Sequence, residues 1–256
     1  MGLSVLAAAV ALATPQQFLA AHQLPDGSFA EPNGRPDATL TAWALLGLRS
    51  AHVSADDRYL RTHESELQAP TGIALGVLAE ARPSDALLAR LDAVPNTVGV
   101  NAAVWKVLAL ARVARTIPQA AVTFILRNQT RTGGWSWAPR VAPDSNDTAA
   151  AIEALRASGV GGLPIRRGIS YLRRLEDRDG GFPLVRGRGS DAQSTAWAIQ
   201  AFVAARLTPP LAAFGYLAHL RRPDGSYRYS LRYSVTPVWV TAQVLPALER
   251  RSFPLR

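Results

Sequence analysis

With 256 residues and 48% apolar side chains, the chain can bury a sizeable core, and a mean hydropathy of +0.03 excludes a polytopic membrane protein. It has no cysteine, which excludes disulfides, thiolate catalysis and thiolate metal sites without choosing a compartment. The net charge of +9 rests on 28 basic residues, all arginine but for Lys106; they are scattered, with no aromatic-interleaved basic stripe, so nucleic acid is not an expected partner.

At the N-terminus, Leu3 to Ala13 form a short apolar run ending in Ala11-Leu-Ala13, similar to a signal-peptide core and its A-x-A cleavage site, but without the usual basic start. Residues 1–13 are therefore read as a signal peptide, giving a secreted or cell-surface protein, or as an extra N-terminal helix of a cytoplasmic one. The domain proper runs over 14–256. Apolar residues there recur at three to four positions, as in Ile152, Leu155, Gly159 and Ile169, Leu172, Leu175, which is helical spacing. In chain order the predicted helices cover about 12–23, 38–50, 56–66, 70–82, 84–93, 97–113, 116–128, 145–158, 164–176, 191–206, 209–221 and 235–249. Starts are marked by Asp37, Asp144 and Asp191 at N-cap positions and by Pro118, Pro164 and Pro210 near first turns; glycines that suit left-handed caps mark the ends.

The helices follow a repeat. Four segments end in a glycine followed two residues later by an aromatic: Gly27 and Phe29, Gly133 and Trp135, Gly180 and Phe182, Gly225 and Tyr227. Each precedes an alanine-rich segment with a Thr-Ala pair, opened in three cases by Asp37, Asp144 or Asp191. Gly27 and Gly133 lie 106 residues apart, against 47 and 45 for the next two intervals, so two turns have lost their mark within 52–114. Polar outer helices alternate with Ala/Thr/Trp-rich inner ones that are apolar nearly all round, and such helices need burial on every side. The expected fold is all-α: one α6/α6 toroid, a double ring of about twelve helices, with the inner N-termini gathered at one end.

Phe124-Ile-Leu-Arg-Asn-Gln129-Thr-Arg-Thr-Gly133-Gly-Trp135 resembles the QW motif of squalene-hopene cyclases, and Asp191-Ala-Gln-Ser-Thr-Ala-Trp-Ala-Ile-Gln-Ala-Phe202 resembles the prenyltransferase/squalene-oxidase repeat. The likeness covers about residues 12–250 and is weakest over 52–114. It implies the terpenoid cyclase/protein prenyltransferase toroid superfamily, whose members are specific in fold and diverse in function. Asp144-Ser-Asn146-Asp147-Thr148-Ala149 resembles the Asp-x-Asp-Asp-Thr-Ala box of class II terpene cyclases, in which the middle aspartic acid protonates an alkene or epoxide. Here Asp144 and Asp147 match the outer aspartates while Asn146 stands in the acid's place, and an amide cannot deliver that proton. Class II cyclases usually bury the site between two toroids; this chain supplies one.

Each candidate has a structural reading beside the functional one. Asp144 shares its phase with Asp37 and Asp191, so all three are N-caps as well as rim residues of a common mouth; Asp147 suits the positive end of the helix dipole. Trp43 and Trp197 follow their caps by six residues, and Trp105 and Trp239 sit in other inner helices. These four either line an isoprenoid-binding centre or pack between the rings. Phe29, Trp135, Phe182 and Tyr227 are read as staples of the outer turns. The histidines, His22, His52, His63 and His219, fall outside the inner helices and form no i, i+4 pair, so neither a metal nor another cofactor is expected. Two functional readings remain: a class II terpene cyclase-like enzyme, an isomerase by reaction class, and a non-catalytic, exported toroid that binds an apolar ligand or a protein. A carbohydrate-active toroid using Asp144 and Asp191 ranks below both. The implied partners are an isoprenoid-like ligand and the surface of a membrane, and the oligomeric state is left open.

Overall fold

The computed structural model describes residues 12–255; the signal-peptide reading of residues 1–13 lies outside these except for its last two positions. Among the described residues there are twelve α-helices and no extended strand, only four isolated β-bridges within the turns. The outer helices are α1 (Pro15–Ala21), α3 (Arg58–Thr62), α5 (Asp85–Ala93), α7 (Gln119–Arg127), α9 (Leu163–Arg173) and α11 (Leu211–Leu220). The inner ones are α2 (Ala38–Ser50), α4 (Pro70–Ala79), α6 (Val100–Arg112), α8 (Ser145–Ala157), α10 (Ala192–Ala204) and α12 (Pro237–Leu248). Each inner helix packs on the next, and α12 packs on α2, so the inner ring is closed. None of the described helices is long and apolar enough to cross a membrane.

The repeated residues have distinct tasks in this closure. In each marked turn the buried aromatic donates its backbone N–H to the threonine of the following Thr-Ala pair: Phe29 to Thr41, Trp135 to Thr148, Phe182 to Thr195 and Tyr227 to Thr241, at 2.9–3.0 Å. Gln129, the glutamine of the QW-like motif, donates to the carbonyls of Gly133 and Pro164, tying its turn to the next outer helix. Gly133 has φ +95° and lies so close to that helix that a Cβ would stand 2.5 Å from the Arg167 carbonyl oxygen. At the seam Gly225 presses on Thr14 in the same way, Ala13 N–H donates to Pro223 O, and the Arg221 guanidinium donates to Ala13 O. The last turn thus holds the first helix as every other turn holds its successor.

Two sequence expectations need correction. Helix α1 begins at Pro15 behind a Thr14/Gln17 capping box, not at residue 12, because Thr14 satisfies the first free N–H groups. The marked glycines are not helix caps but turn residues some way beyond each outer helix. The left-handed caps belong to the inner helices and are mostly not glycine: His52, Ala114, Gly159, Arg206 and Arg250. After each, a 6→1 backbone bond closes the helix, as from Arg115 N–H to Leu110 O and from Leu207 N–H to Phe202 O.

Candidate ligand site on the ring axis

The N-termini of the inner helices share one end of the ring, and the predicted caps are seated there. Asp37 Oδ1 accepts from Leu40 N at 2.7 Å, Asp144 Oδ1 from Asp147 N at 2.8 Å and Asp191 Oδ1 from Ser194 N at 2.7 Å. The fourth marked inner helix, α12, has no aspartate and borrows its cap: Glu31 accepts from the N–H groups of Val238 and Trp239, some 207 residues away in sequence. Sequence reasoning missed Glu31 because it has no counterpart in the other repeats.

Asn146 and Asp147 are half-buried at this rim. Asp147 Oδ1 accepts from Asn101 Nδ2 at 2.6 Å, joining the rims of α8 and α6. Burial, and after it the neighbouring charge of Asp147, pushes the Asp144 carboxyl up to about 8. It is therefore a neutral acid at neutral pH. Burial also raises Asp191, against the bonds it accepts from the Ser194 N–H and hydroxyl.

Below the rim, Trp43, Trp105 and Trp197 meet edge to face with ring centres 5.6–6.3 Å apart. They come from α2, α6 and α10, which are not neighbours in the ring, so their side chains meet across its axis. The fourth ring of this cluster is Phe253, from the segment after α12, centred 5.6–6.4 Å from all three indoles. The tryptophans thus point inward, as the isoprenoid reading requires, but with Phe253 they fill the middle of the ring. Trp239 is half-buried near the rim and stands outside this cluster.

Two cavities open at the same end. One, of about 410 Å³, has Trp43 and Trp105 as its floor and Thr39, Gln68, Thr71 and Asn101 in its walls. The other, of about 650 Å³, lies between the loops that lead into α10 and α12, where Arg188, Asp191, Tyr216, Tyr229, Arg232 and Tyr233 converge. Both fall in the size range of small-molecule sites, about 300–1,000 Å³. Asp37, Asp144, Asp147 and Asp191 therefore share one rim. In the structure, though, Asp191 borders the larger cavity and Asn101 beside Asp147 borders the smaller one, so the four do not converge on a single point.

The closed ring of alternating helices has counterparts among known proteins. No protein-family model matches the chain. Two relatives are drimenyl diphosphate synthases. That of Streptantibioticus cattleyicolor is 28% identical over 232 residues, covering 82% of this chain and 40% of that protein; that of Streptomyces showdoensis is 29% identical over 244 residues, covering 89% and 43%. The chain thus spans about two fifths of the length of these curated relatives. Among solved structures, a protein from Actinoplanes superposes with a TM-score of 0.58 at 18% identity, covering 92% of this chain and 97% of that one. The ent-copalyl diphosphate synthase of Streptomyces platensis gives 0.56 at 17%, covering 83% and 50%. The type II terpene cyclase MstE of Scytonema, as an aspartate-to-asparagine variant bound to its substrate geranylgeranyl dihydroxybenzoate, gives 0.51 at 15%, covering 92% and 94%.

The chain has the α/α-toroid fold of type II terpene cyclases, and its sequence is similar to those of the drimenyl diphosphate synthases.

Proposed function

We propose that this chain is a class II terpene cyclase-type toroid that takes an isoprenoid chain into the acid-capped end of its inner ring and cyclises it by protonation. The observation that carries this reading is the meeting of Trp43, Trp105 and Trp197 on the axis beneath a rim bearing Asp144-Ser-Asn146-Asp147. Indole faces stabilise a carbocation that travels among them, by about 0.5–2 kcal/mol for each well-placed ring. The relatives named for a diphosphate product add support, and Arg188 and Arg232 beside the larger cavity suit an anionic head group. Val98, Trp137, Leu231, Tyr233 and Val235 are exposed on loops of that same end, which supports entry of an apolar substrate from a membrane surface.

A second reading, binding without cyclisation, has its own observations: an amide at Asn146 and a ring centre filled by Phe253. Incubation with squalene and with geranylgeranyl diphosphate, followed by gas chromatography of the extracts and native mass spectrometry of the protein, separates the two. A cyclised product supports the first reading. Ligand bound one per chain without product supports the second, and neither product nor bound ligand overturns both.

A further inference from the structure

Asn146 leaves the acid-capped rim without the proton donor that its motif implies, but helix α8 carries a second polar side chain in the same register. Glu153 follows Asn146 by seven residues, two helical turns, which brings it to nearly the same face of α8 about 10 Å deeper in the ring. It is the one charged residue in the otherwise apolar run from Ala149 to Leu155, and it is 0% exposed. Its Oε2 accepts from the backbone N–H of Phe253 at 2.6 Å, while Oε1 has no hydrogen-bond partner. No ion pair among the described residues includes it.

The surroundings leave several polar groups unpaired. Phe253 touches Glu153 with its backbone and the three axial indoles with its ring, so the carboxyl and the indoles border the same space. Other polar atoms of the inner ring are buried without partners as well, among them Gln200 Oε1 on α10 and Gln243 Nε2 on α12; Gln243 already accepts from Trp197 Nε1 through its oxygen. Buried polar atoms left unpaired in a native fold call for an occupant or a role. A cavity of about 230 Å³ reaches Glu153 and Phe253 from the far end of the ring, between Arg156, Ala204, Arg206 and Ser252.

We propose that Glu153 is the proton donor of this ring, and that residues 252–255 cover it until an isoprenoid chain takes the place of the Phe253 side chain. This rests on the isoprenoid reading above. In the step, the π pair of the terminal alkene forms a C–H bond with the Glu153 proton. The O–H electrons stay on the carboxylate, and a tertiary carbocation arises against the faces of Trp43, Trp105 and Trp197. Attack by the next alkene's π pair closes a ring; loss of a proton to solvent from the carbon beside the final cation restores an alkene. Glu153 then regains a proton from solvent, so the sum is an isomerisation with no redox change. Burial without a counter-charge holds the Glu153 carboxyl well above its usual range, keeping it protonated between turnovers.

The test uses the full chain with geranylgeranyl diphosphate in deuterated buffer, with binding followed by tryptophan fluorescence and product by gas chromatography–mass spectrometry. Glu153→Gln is isosteric and can still accept the Phe253 N–H. It should bind within about threefold of the wild type yet lose at least 100-fold in product, the lower range for loss of a general acid. Glu153→Asp should retain part of the activity, Phe253→Ala should bind more tightly, and wild-type product should carry deuterium from the initiating proton. Undiminished product from Glu153→Gln overturns the assignment. So does a wild-type protein that binds the ligand and forms no product, although the binding reading then stands; absence of binding overturns the isoprenoid reading itself.

Discussion

The neutral Asp144 has a consequence for stability that one substitution isolates. Its carboxyl titrates near the ordinary aspartate value of 3.8 in the unfolded chain and at about 8 in the folded one. Between those values the folded state holds a proton that the unfolded state has released, so unfolding sheds a proton and stability falls as pH rises. Below about pH 4 both states are protonated and above about 8 both are ionised, so the slope is confined to that window. Its limit is about 1.4 kcal/mol per pH unit, or about 2–3 kcal/mol between pH 5 and pH 7. Asp144→Asn keeps an oxygen to accept the Asp147 N–H at 2.8 Å and removes the titration. The stability of the variant relative to wild type should therefore rise by about 2–3 kcal/mol from pH 5 to pH 7. At about 2–4 °C per kcal/mol for a chain of this size, the gap in Tm should widen by about 5–10 °C. Differential scanning calorimetry of both proteins at pH 5, 6, 7 and 8.5 measures it. A gap that stays constant across that range, or narrows, refutes the argument that burial and Asp147 hold Asp144 neutral.

Thr148→Val leaves the buried Trp135 N–H without its acceptor and should cost about 1–3 kcal/mol in urea unfolding, whereas Thr148→Ser should cost less than half as much. A Thr148→Val cost no greater than that of Thr148→Ser would contradict the claim that the hydroxyl is what the repeat preserves. Ala114 caps α6 with φ +53°, a conformation that costs an alanine about 1 kcal/mol, so Ala114→Gly should raise the urea midpoint by an amount worth about 0.5–1 kcal/mol; a lower midpoint would contradict the capping assignment.

The fold was legible because its signals are periodic. Turn glycines, Thr-Ala pairs and Asp caps recur at a spacing that no single-copy motif imitates, and they place α2, α8 and α10 within one or two residues of their observed ends. Even the unmarked stretch over 52–114 kept its helical spacing, which suffices to find α3 to α6. How the inner helices are capped was not legible, because Ala114, Arg206 and Arg250 carry no propensity for the left-handed turn that packing imposes on them. The candidate site was legible only in part. Asp37, Asp144, Asp147 and Asp191 are where the repeat phase puts them, and the inward aim of Trp43, Trp105 and Trp197 was one of two readings. Glu31 and Phe253 act across some 207 and 100 residues of sequence, a separation over which no local pattern speaks. Glu153 did leave a signal: a lone carboxylate in an alanine–leucine run of a buried helix, where an unpaired charge is costly enough to need a reason.

The proposed isoprenoid site lies on the ring axis. A crystal structure of the protein grown with saturating geranylgeranyl diphosphate tests it most directly. The expected result is polyprenyl density running from the rim at Asp144 and Asp147 down among Trp43, Trp105 and Trp197, with the Phe253 ring displaced. Ligand found only on the outer helices, or an axial cluster of three indoles and Phe253 left unchanged, would contradict it.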